Sequence, residues 1–141
     1  MYKTVSFLKF IFYISVLFLI IISLYPGSLL GVLLYGDSNL QPNLAFNPFY
    51  TILPRDLYTI GSIINHFAIY FGISIFGFFI YMRNHNFQKL VYGLFFLSIF
   101  LEFLQFVAPR RTFEIFDLSA NFAGVLVAYC LIKIYKSWNR I

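Results

Sequence analysis

The sequence predicts an all-α membrane protein, a single domain over residues 1–141 built as a four-transmembrane-helix bundle with a long outward loop between the first two helices. Of its 141 residues, 61% are hydrophobic and only 11% are charged, and the mean hydropathy is +0.84. A soluble domain of this length needs far more charge. The apolar residues fall into four runs, each close to the roughly 20 residues that cross about 30 Å of hydrocarbon.

The four predicted spans cover residues 10–25, 57–82, 90–107 and 118–134. We expect the first to be an uncleaved helix, because its apolar run is long for a signal peptide and Pro26-Gly27-Ser28 is a weak cleavage site. The long loop between the first two spans carries four prolines from Pro26 to Pro54, which stop helices and favour turns. A short polar turn, Arg83 to Asn86, is predicted between spans two and three.

The basic residues predict the orientation. With four spans, the two termini and the turn after span two share one side of the membrane; that side carries most of the Lys and Arg, whereas the other side holds Arg55, Arg110 and Arg111. Lys and Arg favour the cytoplasmic side, so both termini are predicted to be cytoplasmic. The net charge of +5 is scattered between apolar runs, and we therefore predict no nucleic-acid partner. The single Cys130 excludes an intrachain disulfide.

Polar side chains recur near the outward ends of spans two, three and four. Glu102 and Gln105 are three residues apart and share a helix face, as do Asp117 and Asn121, which are four apart. The pair Asn65-His66 lies about 13 Å into span two, at 1.5 Å per residue. Lipid penalises such groups heavily, so we expect them to converge and to satisfy one another.

Each of these residues also has a purely structural explanation. Asp117 could be an N-cap or a first-turn acid, Glu102 could form a clasp with Arg111, and His66 could donate a hydrogen bond between helices. Arg111 could equally lie at the interface as a snorkelling side chain. Gly124 is expected to permit close helix approach. The histidine and the carboxylates have no recognised metal-ligand spacing, so no metal and no cofactor are predicted.

Three successive motifs, Glu102-x-x-Gln105, Arg111-Thr112-Phe113 and Asp117-x-x-x-Asn121-x-x-Gly124, resemble the signature of the VanZ-like family of small bacterial membrane proteins. The segments His66-Phe67-x-x-Tyr70-Phe71 and Asn47-Pro48-Phe49 are similar to the family's H-F-x-x-Y-F and P-F elements. The resemblance implies a multi-pass protein of the bacterial inner membrane that is linked to the cell envelope and to glycopeptide antibiotic resistance.

Two positions depart from the family pattern. Arg110 stands where many relatives have glycine, and Ser62 stands where some have an acidic residue four positions before the histidine.

Three classes of function are compatible with these residues. The first is binding of an anionic, isoprenoid-linked envelope precursor, with membrane lipids as partners. The candidate ligand-binding residues are His66, Glu102, Gln105, Arg111, Asp117 and Asn121. The second is a membrane enzyme of phosphoryl or glycosyl transfer, with Glu102 or Asp117 as base, His66 as acid and Arg111 as clamp. The third is a structural module in which the polar residues only lock the helices together.

Overall fold

The four predicted helices are present. The structure, a computed structural model, describes residues 2–24, 57–105 and 113–139. Its helices are α1 (Tyr2–Leu24), α2 (Leu57–Tyr81), α3 (Phe87–Gln105) and α4 (Ile115–Trp138). All four are long and apolar enough to cross a membrane, so the all-α, four-span fold class is confirmed. The predicted loop over 26–56 lies outside the described residues.

Helices α1 and α4 extend beyond the predicted spans. Helix α1 already begins at Tyr2, eight residues before the first long apolar run, and α4 extends from Ile115 to Trp138, beyond 118–134 at both ends. The length of an apolar run indicates only the part of a helix that lies in hydrocarbon. The helix itself can be longer, because its backbone hydrogen bonds continue into the polar interface. Asp117 consequently lies inside the first turn of α4.

The predicted polar turn joins α2 to α3. The backbone N–H of Asn84 donates to the Tyr81 oxygen at 2.8 Å, and that of Phe87 donates to the Asn84 oxygen at 3.0 Å. The Asn84 side chain also accepts a 2.9 Å hydrogen bond from the backbone N–H of Asn86, as in an Asx-turn. The first hydrogen bond of α3 runs from Leu90 to the Asn86 oxygen at 3.0 Å.

This turn marks one end of the bundle, which we call the turn end. Helix α1 begins there, since the Lys9 ammonium lies 5.0 Å from the centroid of the Tyr81 ring and the Tyr13 and Tyr81 hydroxyls are 2.8 Å apart. Helix α4 ends there, since Lys136 donates to the Met82 oxygen at 2.7 Å. The helices therefore alternate in direction, and the described chain begins and finishes at the same end.

The surface of the bundle is apolar. Large hydrophobic side chains are exposed on every helix, among them Phe7, Phe10, Phe18, Ile64, Phe79, Tyr92, Phe96, Phe103, Leu126 and Ile134. The interior contains aromatic and aliphatic side chains, but it also buries Glu102, Gln105, Asp117 and Asn121. Apolar outside and partly polar inside is the distribution expected of a protein solvated by lipid.

Helices α2 and α4 approach each other closely at Gly124. A Cβ atom at this position would lie 2.6 Å from the backbone oxygen of Phe67 and 2.8 Å from the backbone nitrogen of Phe71. Ala120 and Ala128, one turn away on either side, are also buried on this face. Small residues every fourth position let two helix backbones come together. The expected role of Gly124 in close helix approach is confirmed.

Candidate functional site

The polar residues of α2, α3 and α4 meet at the end of the bundle opposite the turn, where α3 ends and α4 begins. We call this the cluster end, and the residues Ser62, His66, Glu102, Asp117 and Asn121 the polar cluster. The spacing in the sequence brings them together, because Ser62 and His66 share a face of α2 and Asp117 and Asn121 share a face of α4. Glu102 completes the cluster from α3, three residues before its described end at Gln105.

Asn121 is the central bridge of the polar cluster. Its side-chain oxygen lies 3.0 Å from Nδ1 of His66, and its side-chain nitrogen donates to Oε2 of Glu102 at 3.5 Å. The other oxygen of Glu102 accepts the backbone N–H of Glu114 at 3.2 Å. One amide thus joins α2 to α3 through α4, and the Glu102 carboxylate also ties the start of α4 to α3.

Asp117 forms the second connection between α2 and α4. Its carboxylate accepts the Ser62 hydroxyl at 3.2 Å on Oδ2 and 3.4 Å on Oδ1. The same Oδ2 lies 3.4 Å from Nε2 of His66. His66 is therefore held on both ring nitrogens by oxygen atoms of α4.

The polar cluster has a closed interior and a partly open edge. Glu102 is 0% exposed, Asn121 1% and Gln105 4%. The side chains of His66 and Asp117 are 22% and 10% exposed. A molecule that approaches the described part of the cluster from outside therefore meets His66 and Asp117 before it meets Glu102.

The structure brings together four of the six predicted site residues: His66, Glu102, Asp117 and Asn121. Gln105 is buried on the same helix as Glu102, one turn nearer the cluster end. Arg111 lies outside the described residues, so its predicted role stays a prediction.

The expectation of convergence is wrong for Asn65. Its side chain is exposed on α2, because it precedes His66 by one residue and successive helical positions point about 100° apart.

Of the two structural explanations for Asp117, the first-turn acid is the one observed. The N-cap of α4 is Glu114, and Asp117 is in the first helical turn, where the helix dipole favours a negative charge. Its carboxylate, however, is bonded to α2, so it also couples two helices.

Ser62 was not among the predicted site residues. Its position in the sequence could have identified it, because Ser62 lies four residues before His66 and Tyr70 lies four residues after it. Residues at this spacing form one stripe along a helix. Tyr70 is 3% exposed, and its Cβ would lie 3.2 Å from a Cβ atom added at Gly124 of α4. The stripe of α2 that faces α4 is therefore polar at three successive turns.

The order of hydrogen bonds limits the chemistry of these residues. A serine nucleophile needs its hydroxyl bonded to a histidine that is in turn oriented by a carboxylate. Here the Ser62 hydroxyl donates to Asp117, and the carboxylate stands between serine and histidine. Among the described residues, no group of three or more His, Cys, Asp and Glu side chains is arranged to hold a metal ion.

A separate apolar groove of about 620 Å³ lies between α3 and α4. Its lining residues are Phe95, Leu118, Ser119, Phe122, Ala123 and Leu126. The Ser119 hydroxyl is already bonded to the Ile115 oxygen of its own helix at 2.7 Å. The groove therefore offers apolar contact on the opposite side of α4 from Asn121.

Comparison with known proteins identifies the family of this chain. A family model described as VanZ/LLP1 matches residues 10–136, which is most of the chain. The matched range covers α2 and α3 completely, most of α1 and α4, and every residue of the polar cluster. No curated protein and no solved structure matches the chain significantly. On the family match, this four-span membrane protein belongs to the VanZ-like family.

Proposed function

We propose that this chain is a cell-envelope protein of the bacterial inner membrane that binds an anionic, lipid-linked cell-wall precursor at the cluster end. The observation that carries the proposal is the polar cluster itself. Two carboxylates, a histidine and an amide are costly inside a bundle solvated by hydrocarbon, and ionisable groups in such positions mark functional sites by default. A fold that needed only stability would do as well with apolar residues there.

The orientation of the proposed site rests on the distribution of charge. The described Lys and Arg side chains lie towards the turn end: Lys9, Arg83, Lys89, Lys133 and Lys136. The described acidic residues lie at the cluster end: Glu102, Glu114 and Asp117. Because Lys and Arg favour the cytoplasmic side, we place the turn end and both termini in the cytoplasm and the cluster end outside.

An anionic headgroup needs positive charge beside the acidic cluster. Arg110 and Arg111 supply it in the sequence between Gln105, where described α3 ends, and Phe113. A guanidinium binds phosphate through two parallel hydrogen bonds. In this proposal Arg111 holds the phosphate, and the open edge at His66 and Asp117 binds the polar groups next to it. In this proposal the protein contributes to glycopeptide resistance because it removes or protects the cell-wall precursor that it binds.

Binding of an isoprenoid phosphate to the purified full-length protein tests this proposal, with native mass spectrometry as the readout. We expect the wild-type protein to retain the lipid, and Arg111→Ala and Glu102→Gln to lose most of it. Lys133→Ala is the matched control, because Lys133 is an exposed cation near the turn end and its loss should leave binding unchanged. A diacyl phosphate lipid run in parallel shows whether the isoprenoid chain is required.

A second function, a structural clasp, is favoured by the complete burial of Glu102 and by the bonds within the cluster. If the wild-type protein retains no lipid and the substitutions only lower the melting temperature, the ligand proposal is wrong. The clasp makes its own prediction. The double variant Glu102→Met and Asn121→Leu should then keep glycopeptide susceptibility unchanged in cells that express it stably, because apolar pairs can replace a buried polar lock.

A further inference from the structure

We infer that the apolar groove between α3 and α4 holds the hydrocarbon chain of an isoprenoid lipid whose head group lies at the cluster end. The inference rests on the proposed function, and it adds to that proposal the place where the chain of the ligand binds. Three properties of the groove support it: its chemistry, its position along α4 and its width.

The chemistry of the groove suits a hydrocarbon chain. Five of its six lining side chains are apolar, and the sixth, Ser119, donates its hydroxyl to the Ile115 oxygen of its own helix. In the described part of the chain, the groove therefore presents neither a charged side chain nor an available hydroxyl hydrogen to a polar head group. Between groups solvated by hydrocarbon, van der Waals contact drives association, so the occupant must be apolar and must fit the shape of the groove.

The position of the groove matches the depth of one bilayer leaflet. On α4 its lining begins with Leu118, directly after Asp117 of the polar cluster, and continues to Leu126. Between these two residues the helix rises by about 12 Å at 1.5 Å per residue. The hydrocarbon layer is about 30 Å thick, so that one leaflet takes about 15 Å. A lipid whose chain runs along the helices in this groove therefore has its head group at the cluster end.

The length of the groove distinguishes a lipid chain from another transmembrane helix. Two helices that pack in a membrane cross at about 20° and stay in contact over much of its thickness. The groove, in contrast, is confined to the half of α4 nearer the cluster end, although the helix continues to Trp138. A lipid chain fits this restricted length, whereas a partner helix would leave it.

The width of the groove favours a branched chain. The groove has a volume of about 620 Å³ over that length of about 12 Å, which makes it broad. The rings of Phe95 and Phe122, one from each helix, have centroids 5.1 Å apart, and Ala123 contributes only a methyl group to the lining. A methyl-branched isoprenoid chain fills a broad groove with more contacts than a straight acyl chain, and each missing contact forfeits dispersion energy.

Photo-crosslinking of the purified full-length protein in nanodiscs tests the inference. Two probes carry the same farnesyl-type chain with a diazirine on the chain, and they differ only in the head group, which is a phosphate in one and an alcohol in the other. We expect both probes to label Phe95 or the segment from Leu118 to Leu126, as mapped by mass spectrometry of the peptides. Labelling of the wild-type protein only outside these residues overturns the inference.

Ala123→Phe fills the groove and should lose most of the labelling by both probes. Val127→Phe is the matched control, because Val127 is also on α4 and is 40% exposed but does not line the groove. Its labelling should stay at the wild-type level. Equal loss in the two variants, or full labelling of the groove in a folded Ala123→Phe, contradicts the inference. If Ala123→Phe does not fold, the position of the label in the wild-type protein decides alone.

The two head groups separate this inference from the proposed function. Arg111→Ala should lose labelling by the phosphate probe but not by the alcohol probe. If both probes label the groove and Arg111→Ala affects neither, the head-group proposal fails and the groove inference stands. If Arg111→Ala removes the phosphate probe but that probe labels residues outside the groove, only the groove inference fails.

A competitor decides which kind of chain the groove takes. An unlabelled farnesyl phosphate should displace the phosphate probe from the groove, whereas a straight-chain diacyl phosphate lipid should displace much less of it. Equal displacement by the two lipids would show that the groove takes any lipid chain and would overturn the assignment to an isoprenoid.

Discussion

Nδ1 of His66 lies 3.0 Å from the side-chain oxygen of Asn121, across the interface between α2 and α4. Each of these two side chains makes a second contact on its other side, His66 with Asp117 and Asn121 with Glu102. The contact between His66 and Asn121 therefore lies in the middle of a chain of polar groups that connects α2, α3 and α4. Removing one member takes one polar contact away from each of its neighbours.

Asn121→Leu is expected to destabilise the bundle more than a surface change does. The leucine fills a similar volume, but it leaves buried Glu102 without its amide donor and Nδ1 of His66 without its acceptor. An unsatisfied buried polar group costs about 1–3 kcal/mol, and more when it is charged. The loss of unfolding free energy should show in denaturation of the protein in detergent micelles.

Ser119→Ala is the control for Asn121→Leu. Ser119 lies on the same helix, but it is exposed and bonds only to the Ile115 oxygen of its own helix in the described structure. Its removal should change the unfolding free energy by less than about 0.5 kcal/mol. Equal effects of the two substitutions would mean that the polar cluster contributes nothing to the packing of the helices.

Gly124→Ala is expected to weaken the contact between α2 and α4. The added Cβ would lie 2.6 Å from the Phe67 oxygen, and backbone atoms cannot rotate away as a side chain can. Overpacking of this kind costs typically about 1–3 kcal/mol. Gly72→Ala on α2 is the matched control, since nothing lies within 4 Å of its added Cβ, and it should be neutral or slightly stabilising because alanine favours helix. A comparison of the two melting temperatures checks the prediction.

Lys136→Met is expected to loosen the turn end. The substitution removes the 2.7 Å hydrogen bond to the Met82 oxygen and the ammonium group 5.0 Å from the Phe87 ring. Hydrogen bonds that involve a charged group contribute about 1.5–3 kcal/mol, and partial exposure reduces this value to about 1 kcal/mol. Faster hydrogen exchange at the amides of the turn, Asn84 and Phe87, would report the change.

Lys133→Met is the control for Lys136→Met, because it distinguishes the loss of the hydrogen bond to Met82 from the loss of a positive charge on α4. Lys133 lies 5.5 Å from the ring of Tyr129 on its own helix, and it is exposed. Its loss removes the same charge as Lys136→Met but breaks no bond to the turn. If both substitutions accelerate exchange equally, the bond to Met82 is not what holds the turn.

The proposed orientation predicts which positions a membrane-impermeant thiol reagent can reach. In a Cys130→Ala background, His85→Cys in the turn should be labelled only after cells are permeabilised, whereas Ser38→Cys, between α1 and α2, should be labelled in intact cells. Labelling of His85→Cys from outside would reverse the orientation and move the cluster end to the cytoplasm.

The sequence by itself determined the four spans and their alternating direction. Apolar runs of membrane-spanning length can only be helices in lipid, because every backbone polar group must be satisfied within its own segment. Helical spacing also predicted that Glu102 shares a face with Gln105, and Asp117 with Asn121. The apolar runs did not give the helix boundaries, because α1 starts before its apolar run and α4 continues past its own.

Only the tertiary structure decided which polar groups are partners. The bonds of Asn121 to His66 and Glu102, the bond of Ser62 to Asp117 and the exclusion of Asn65 depend on how each helix is rotated about its axis and how closely α2 approaches α4. That approach is set by the missing side chain of Gly124. The spacing along one helix shows which residues share a face, but it does not show which face of the neighbouring helix packs against them. The pairing of polar groups is therefore a property of the packed bundle.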